Sequence, residues 1–254
     1  MIYMLYGDPD ATASEEDVAG VWSNGYEAVY HLREVPTGAA DEIKDSAKSR
    51  DGTAQGSPLP TQTTGPGHTG SAIVFDDDDD QYILCPDFAP GIDAMTAEAW
   101  VYHVAGGDTD DRVVAKSSSG SSGHASYIYS LGLSGTTLRV RIHTGGTGES
   151  DDCGTSVSYN TWTHIAFTYD DADNTIRYYI DGDPEGTDPD SGGTIDTYAN
   201  PVTIADNSPV EHRLYTGVLD EVRISSVARS AGWMETQHNN MDDPSSFFTL
   251  GAEE

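Results

Sequence analysis

The chain has 254 residues, with 43 acidic against 12 basic side chains and a formal charge of −31. A surface that acidic repels phosphate backbones and anionic lipid, which excludes nucleic acid as a partner, and no apolar run approaches the roughly 20 residues that cross a bilayer, which excludes membrane insertion. With 36% apolar residues, 27 glycines and 12 prolines, the length suits one large, turn-rich β domain.

The opening stretch, MIYMLYGDPDATASEED, has neither a basic region nor a long apolar segment and does not read as a signal peptide; export would need a signal upstream or another route. Strand-like segments then recur: GYEAVYHL (25–32), GSAIVF (70–75), QYILC (81–85), MTAEAWVYHV (95–104), RVVAKS (112–117) and ASYIYSLGL (125–133). TLRVRIHT (137–144), TWTHIAFTYD (161–170), TIRYYIDG (175–182), PVTIA (201–205) and LYTGVLDEVRIS (214–225) follow. Short strands punctuated by glycine, aspartate and asparagine, with almost no helical periodicity, predict a β-sandwich or barrel. DADN (171–174) and Asp181-Gly182 read as hairpin turns. Residues 48–70 and 145–156 read as loops, and SSVARSAGWMETQHNN (225–240) as the one helix, anchored by Ala228, Trp233 and Met234. Cys85 and Cys153 either pair, as an oxidising exterior would allow, or stay apart; their separation in sequence does not decide it.

Alternation assigns faces. Ile165, Phe167 and Tyr169 share one side of their strand, and Trp162, His164, Ala166 and Thr168 the other. Met95, Ala97, Ala99 and Val101 likewise oppose Glu98, Trp100 and Tyr102. The aliphatic sides predict the core. The aromatic sides would suit stacking against sugar rings, or packing beneath a covering segment.

AIVFDDDDDQYI, MTAEAWVYH, NTWTHIAFTYD, TIRYYIDGD and TGVLDEVRISSVARS occur in the order found in laminin-G-like domains of concanavalin A-like jelly-roll type, and residues 25–230 resemble that family. Here FDDDDD departs from the family's F-D-G, with Asp77 in place of the glycine of a tight turn. Residues 1–24 instead resemble the end of a small domain that often precedes laminin-G-like domains in surface proteins, adding a strand at 2–6, so that the jelly roll is expected over 25–254. The resemblance implies an all-β jelly roll of two antiparallel sheets with one short C-terminal helix. It also implies non-catalytic recognition of a glycan or polysaccharide on an extracellular, cell-surface or virion protein, where partner domains of a larger architecture would flank it. Three lysines only, and aspartate in excess of glutamate, further resemble proteins of saline or marine surroundings.

The family commonly holds structural Ca2+, a cation that takes six to eight oxygen ligands. The resemblance maps those ligands to Asp45 and Asp51 in the loop after the first strand, Asp220 in the last strand, and Asp79 in the acidic run. The plainer reading has Asp45 and Asp51 bonding their own backbone. Within Asp76–Asp80, neighbours alternate in direction, so two or three at most could share a cation; a solvated turn accounts for the run better. Ligand contacts are expected from Trp100, Tyr102, Tyr127, Tyr129, Trp162 and His164. The fold also hosts glycoside hydrolases whose paired carboxylates stand about 5–5.5 Å apart in an E-x-D-x-E strand. No such triplet occurs here, and Asp220 and Glu221, as strand neighbours, are expected to point to opposite faces, so catalysis is not expected. Two alternatives stand beside glycan recognition: a structural, adhesion or decoration module without sugar binding, and a divergent glycoside hydrolase or polysaccharide lyase.

Overall fold

A computed structural model describes residues 17–63, 65, 67–107, 109–118, 127–190, 192–207 and 212–247; the strand expected at 2–6 lies outside them. Two antiparallel sheets pack face to face. The first runs β13 (Asp183–Pro189), β12 (Thr175–Ile180), β11 (Trp162–Asp170), β6 (Ala94–His103), β15 (Gly217–Ser225), β4 (Ile73–Phe75) and β3 (Thr61–Gln62). β1 (Tyr26–Tyr30) joins this sheet by pairing with β15. The second runs β10 (Thr147–Ser156), β9 (Thr137–Thr144), β8 (Tyr127–Ser134), β7 (Asp110–Ser117), β14 (Val202–Ile204), β5 (Tyr82–Leu84) and β2 (Thr53–Gln55). This is the β-sandwich that the strand pattern predicts, in the jelly-roll form that the family resemblance implies.

The core follows the alternation. Met95, Ala97, Ala99 and Val101 of β6 meet Ile165, Phe167 and Tyr169 of β11 and the inward Leu131, Leu133, Val140 and Ile142 of the second sheet. The β11–β12 hairpin turns at DADN, with Asn174 at φ 50°. The β12–β13 turn places Asp181 and Gly182 at φ 51° and 80°, the left-handed pair that a two-residue hairpin needs.

Two expectations change, and one open question closes. Residues 145–156, read as a loop, include β10, a ten-residue edge strand paired with β9, and the 48–70 stretch contains the short β2 and β3. Edge strands keep a solvated side, so β10 and the largely exposed β13 carry no apolar alternation to betray them. Cys85 and Cys153 are unpaired: one follows β5 and the other lies in β10, five strand spacings or about 24 Å across the sheet, far beyond disulfide reach.

The acidic run is a turn. Asp77–Asp79 form one 3-10 turn, the Asp76 side chain accepts from the Asp78 N–H, and Asp80 takes the left-handed conformation at φ 51°. The left-handed residue of this turn is Asp80; Asp77, where the resemblance expects a glycine, lies in the 3-10 turn. Asp77 exchanges hydrogen bonds with the Thr216 hydroxyl, which pins the turn to the sheet.

Two single-turn helices, α1 (Val18–Val21) and α3 (Pro244–Phe247), flank the sandwich, while α2 (Ala231–Asp242) lies on the outer face of the first sheet. It starts later than expected because β15 runs on to Ser225 and Ser230 caps the helix, its hydroxyl accepting from the Trp233 N–H. Met234 alone is buried along α2, against Ala166 and Tyr179. Met234→Ala should cost about 2–4 kcal/mol, and hydrogen exchange should show the α2 amides losing protection before the strands do. An unchanged melting temperature and unchanged α2 protection would contradict this packing.

Candidate functional site

The outer face of the first sheet carries the aromatics that the strand pattern singles out, but α2 and the 67–69 segment cover most of them. Trp100 is 1% exposed. Its ring is stacked with His68 at 3.4 Å and lies against His238 at 5.3 Å, with His164 at 5.4 Å. His164 is equally buried, and its Nε2 stands 3.2 Å from the Glu98 carboxylate. Tyr129 lies in the sandwich core and Tyr127 is buried near Arg141. Of the six expected ligand contacts only Tyr102 and Trp162 are part-exposed, a ring pair 5.7 Å apart. The other four are buried for two reasons: Trp100 and His164 lie on a sheet face that α2 and the 67–69 segment cover, whereas Tyr127 and Tyr129 are enclosed within the second sheet and its core.

Glu98 organises what lies beside them. Burial alone would raise its carboxyl, but His164 and Arg223 next to it bring the net shift down, so the group is held ionised. Gln237 of α2 donates to Glu98. The other end of that amide, Gln237 Oε1, accepts from Tyr26 Oη and from Trp233 Nε1, both at 3.0 Å. Arg229 sits 4.6 Å from the Tyr26 ring and 4.2 Å from the Trp233 ring. Arg223 lies 5.1 Å over Trp22, which meets Tyr26 edge-on at 5.1 Å. Between these groups opens a groove of about 520 Å3, lined by Trp22, Tyr26, Arg223, Trp233 and Gln237, with Asn24 and Asn240 at its sides. Rings fixed by their own hydrogen bonds, interspersed with amides and a guanidinium, form a preorganised surface that offers both apolar faces and polar groups.

The sequence pattern pointed away from this groove. Trp22 falls in a stretch resembling a preceding domain, and Trp233 reads as a helix anchor. No local signal sets either apart, because the groove joins residues about 200 positions apart in the sequence.

Asp220 and Glu221 do not point to opposite faces. β15 pairs with β4 up to Leu219 and with β1 from Val222, and a bulge at this change of partner puts Glu221 at φ 52°. Both carboxylates therefore turn outward and meet at Thr69, whose hydroxyl lies 3.3 Å from Asp220 Oδ2 and 3.2 Å from Glu221 Oε1. Burial, with the neighbouring Glu221 charge, pushes Asp220 up to about 6 against the bonds from Thr69. Burial would also raise Glu221, but its bond to His31 and the charge of Arg223 take it down to about 2. Two carboxyls held so far apart resemble an acid and base pair. Asp220 is fully buried beneath Thr69, however, and neither carboxylate lines the groove.

The four expected calcium ligands do not converge, and among the described residues no group of three or more His, Cys, Asp or Glu is placed to hold a metal. Asp45 spends both oxygens on its own backbone: Oδ1 accepts from the N–H of Val29 and Ala47, both at 2.8 Å, and Oδ2 from Lys48 at 3.1 Å and Arg50 at 3.0 Å. Asp51 accepts from the Asp45 N–H and from Lys44. Asp79 takes a bond from Gln81 in the 3-10 turn, and Asp220 belongs to the seam just described. Four N–H donors aimed at one carboxylate make it an organiser of the loop.

A family profile described as the concanavalin A-like lectin/glucanases superfamily matches residues 77–233, more than half of the chain. No curated protein matches the sequence. Among solved structures, domain 4 of AbnA, a GH43 extracellular arabinanase from Geobacillus stearothermophilus solved with arabinotriose, is similar at a TM-score of 0.61 and 16% identity, over 83% of this chain and 96% of that one. The binding domain of Paraclostridial Mosquitocidal Protein 1 gives 0.58 at 15% identity over 83% of this chain. A botulinum neurotoxin type C structure, titled for cell entry that depends on two ganglioside molecules, gives 0.60 at 10% identity over 87%. The chain spans about half of each toxin chain, 52% in both cases. These likenesses establish the fold.

Asp45→Ala should lower stability by about 2–4 kcal/mol, by the same amount in calcium and in EGTA; a loss seen only in calcium would restore the metal reading. Asp220→Asn tests the seam. A carboxyl raised to about 6 in the fold costs stability above that pH, and the cost fades as pH falls toward its unfolded value of about 3.8. The variant should therefore be more stable than the parent at pH 8, by about 1–3 kcal/mol, with a higher melting temperature, and nearly equal to it at pH 4. A lower melting temperature at both would contradict the assignment.

Proposed function

This chain belongs to the concanavalin A-like lectin/glucanases superfamily, and we propose that it is a non-catalytic glycan-recognition module that holds sugar in the groove between β1 and α2. The observation that carries the proposal is the set of three rings, Trp22, Tyr26 and Trp233, fixed around one cavity by Gln237 and two arginines. Sugar C–H faces stack on aromatic rings while hydroxyls bond to amide and guanidinium groups, and a site built before the ligand arrives loses less entropy on binding. The similarity to a domain solved with arabinotriose, and to toxin binding domains, supports this class of ligand.

The reading includes an extracellular or surface location, in keeping with those neighbours; among the described residues no helix is long and apolar enough to cross a membrane. A charge of −31 favours neutral glycans over sulfated or uronate chains, which it repels. Hydrolysis by Asp220 and Glu221 would require the 67–69 segment to lift, so a catalytic role stands second.

Trp233→Ala should weaken binding of any glycan found on an array by about thirtyfold, corresponding to about 2 kcal/mol. The melting temperature should barely change, because Met234 and not Trp233 docks α2. Full retention of binding by the variant would remove the groove from the account.

A further inference from the structure

A second cavity, of about 320 Å3, opens beside the loop that follows β5 and the loop between β13 and β14. Asp87, Phe88, Gly91, Lys116, Asp196 and Tyr198 line it. Its polar groups are held in place much as those of the groove are. Lys116 is paired with Asp87 and donates to the Asn200 carbonyl at 2.6 Å, while His143 Nδ1 and Asp196 Oδ2 are 2.5 Å apart. Arg50 packs 4.3 Å over the Phe88 ring, and Tyr198 stands 45% exposed at the mouth.

The two cavities share one rim of the sandwich. Asn24 lines the groove, and its neighbour Gly25 accepts through its carbonyl from the Ser226 N–H at 2.8 Å. Gly91, which lines the second cavity, also approaches Ser226, so closely that a Cβ on it would stand 3.0 Å from the Ser226 Cα. The ridge between the cavities is thus Gly25, Ser226 and Gly91, two of them without side chains. Exposed apolar residues flank this ridge and both cavities: Val21 lines the groove, Tyr198 the second cavity, Ile92 follows Gly91, and the Val227 side chain packs at Gly25; they are four of the six large apolar residues that are exposed among those described. Scattered exposed apolar residues need no explanation, but four of them gathered at two cavities and the ridge between mark a contact surface.

From this arrangement we infer that the rim is one continuous binding track and that its occupant is a linear, neutral polysaccharide held along its interior, not a terminal sugar. The inference rests on the glycan reading of the groove. Trp22, Tyr26 and Trp233 hold one stretch of the chain, the low ridge with Val227 and Ile92 carries it across, and Tyr198 with the carboxylates of Asp87 and Asp196 holds the next stretch. Those carboxylates accept hydroxyl hydrogens and, with the charge of the whole chain, disfavour anionic polymers. A ligand that fills both cavities gains from their linkage, since engagement of the first raises the effective concentration at the second.

Titration calorimetry with neutral linear oligosaccharides of the arabino, gluco, manno and xylo series, from disaccharide to octasaccharide, tests this directly. In the series that binds, affinity should rise by about tenfold or more between the trisaccharide and the hexasaccharide. Tyr198→Ala should return the hexasaccharide to the trisaccharide's affinity, and Trp233→Ala should weaken every length. Equal affinity for the short and long members, with Tyr198→Ala indistinguishable from the parent, would overturn the track while leaving the groove as a sugar site. Binding by no member of any series would overturn the track together with the reading on which it rests.

Discussion

Everything on the outer face of the first sheet depends on how one buried charge is satisfied. Glu98 projects from the middle of β6 where solvent does not reach, and an ionised carboxylate there requires partners. His164 from β11, Arg223 from β15 and Gln237 from α2 supply them. The arrangement ties the helix to the sheet, and through the second end of Gln237 it also sets Tyr26 and Trp233 at one spacing. Stability and site geometry therefore share a residue. Replacing such a network by apolar groups could leave the domain as stable, but the rings would lose the bonds that aim them.

A similar economy governs the few cations. With 12 basic side chains against 43 acidic ones, most arginines serve as internal ties. Asp110 alone receives Arg112, Arg139 and Arg141, which links β7 to β9 across the second sheet. Arg223 and Arg229 are held between aromatic rings and carboxylate or backbone acceptors beside the groove. The surplus carboxylates are left to the surface, where hydration and salt moderate their repulsion. The five-aspartate turn belongs to that surface population: its conformation is set by the Asp76 cap and the left-handed Asp80, and no bound ion is needed to explain it.

The sandwich was legible because its inner faces obey a period of two; β6 and β11 turn the faces inward that alternation predicts, and β12 and β15 stand where strand-like segments are read. Pattern failed where tertiary context decides. β10 and β13 are edge strands with no apolar side to detect. Trp100 and His164 look like a binding face until a helix from the far end of the chain covers them. Asp220 and Glu221 obey strand alternation only while the strand keeps one partner, and the change from β4 to β1 breaks that condition. Asp45 and Asp51 sit in a loop that carboxylates fold by accepting N–H bonds, a role that composition cannot separate from metal ligation. The groove itself combines residues 22 to 26 with residues 223 to 241, a juxtaposition that no local motif announces.

The four tryptophans provide the most direct test of the central claim, that the groove between β1 and α2 receives the ligand. Each indole N–H gives its own signal in a nitrogen-15 correlation spectrum, and a titration with a bound oligosaccharide follows all four at once. Trp22 and Trp233 should move with the ligand while Trp100, enclosed between His68 and His238, stays in place. Movement confined to Trp162, beside Tyr102, with Trp22 and Trp233 unchanged, would place the ligand elsewhere and contradict the claim.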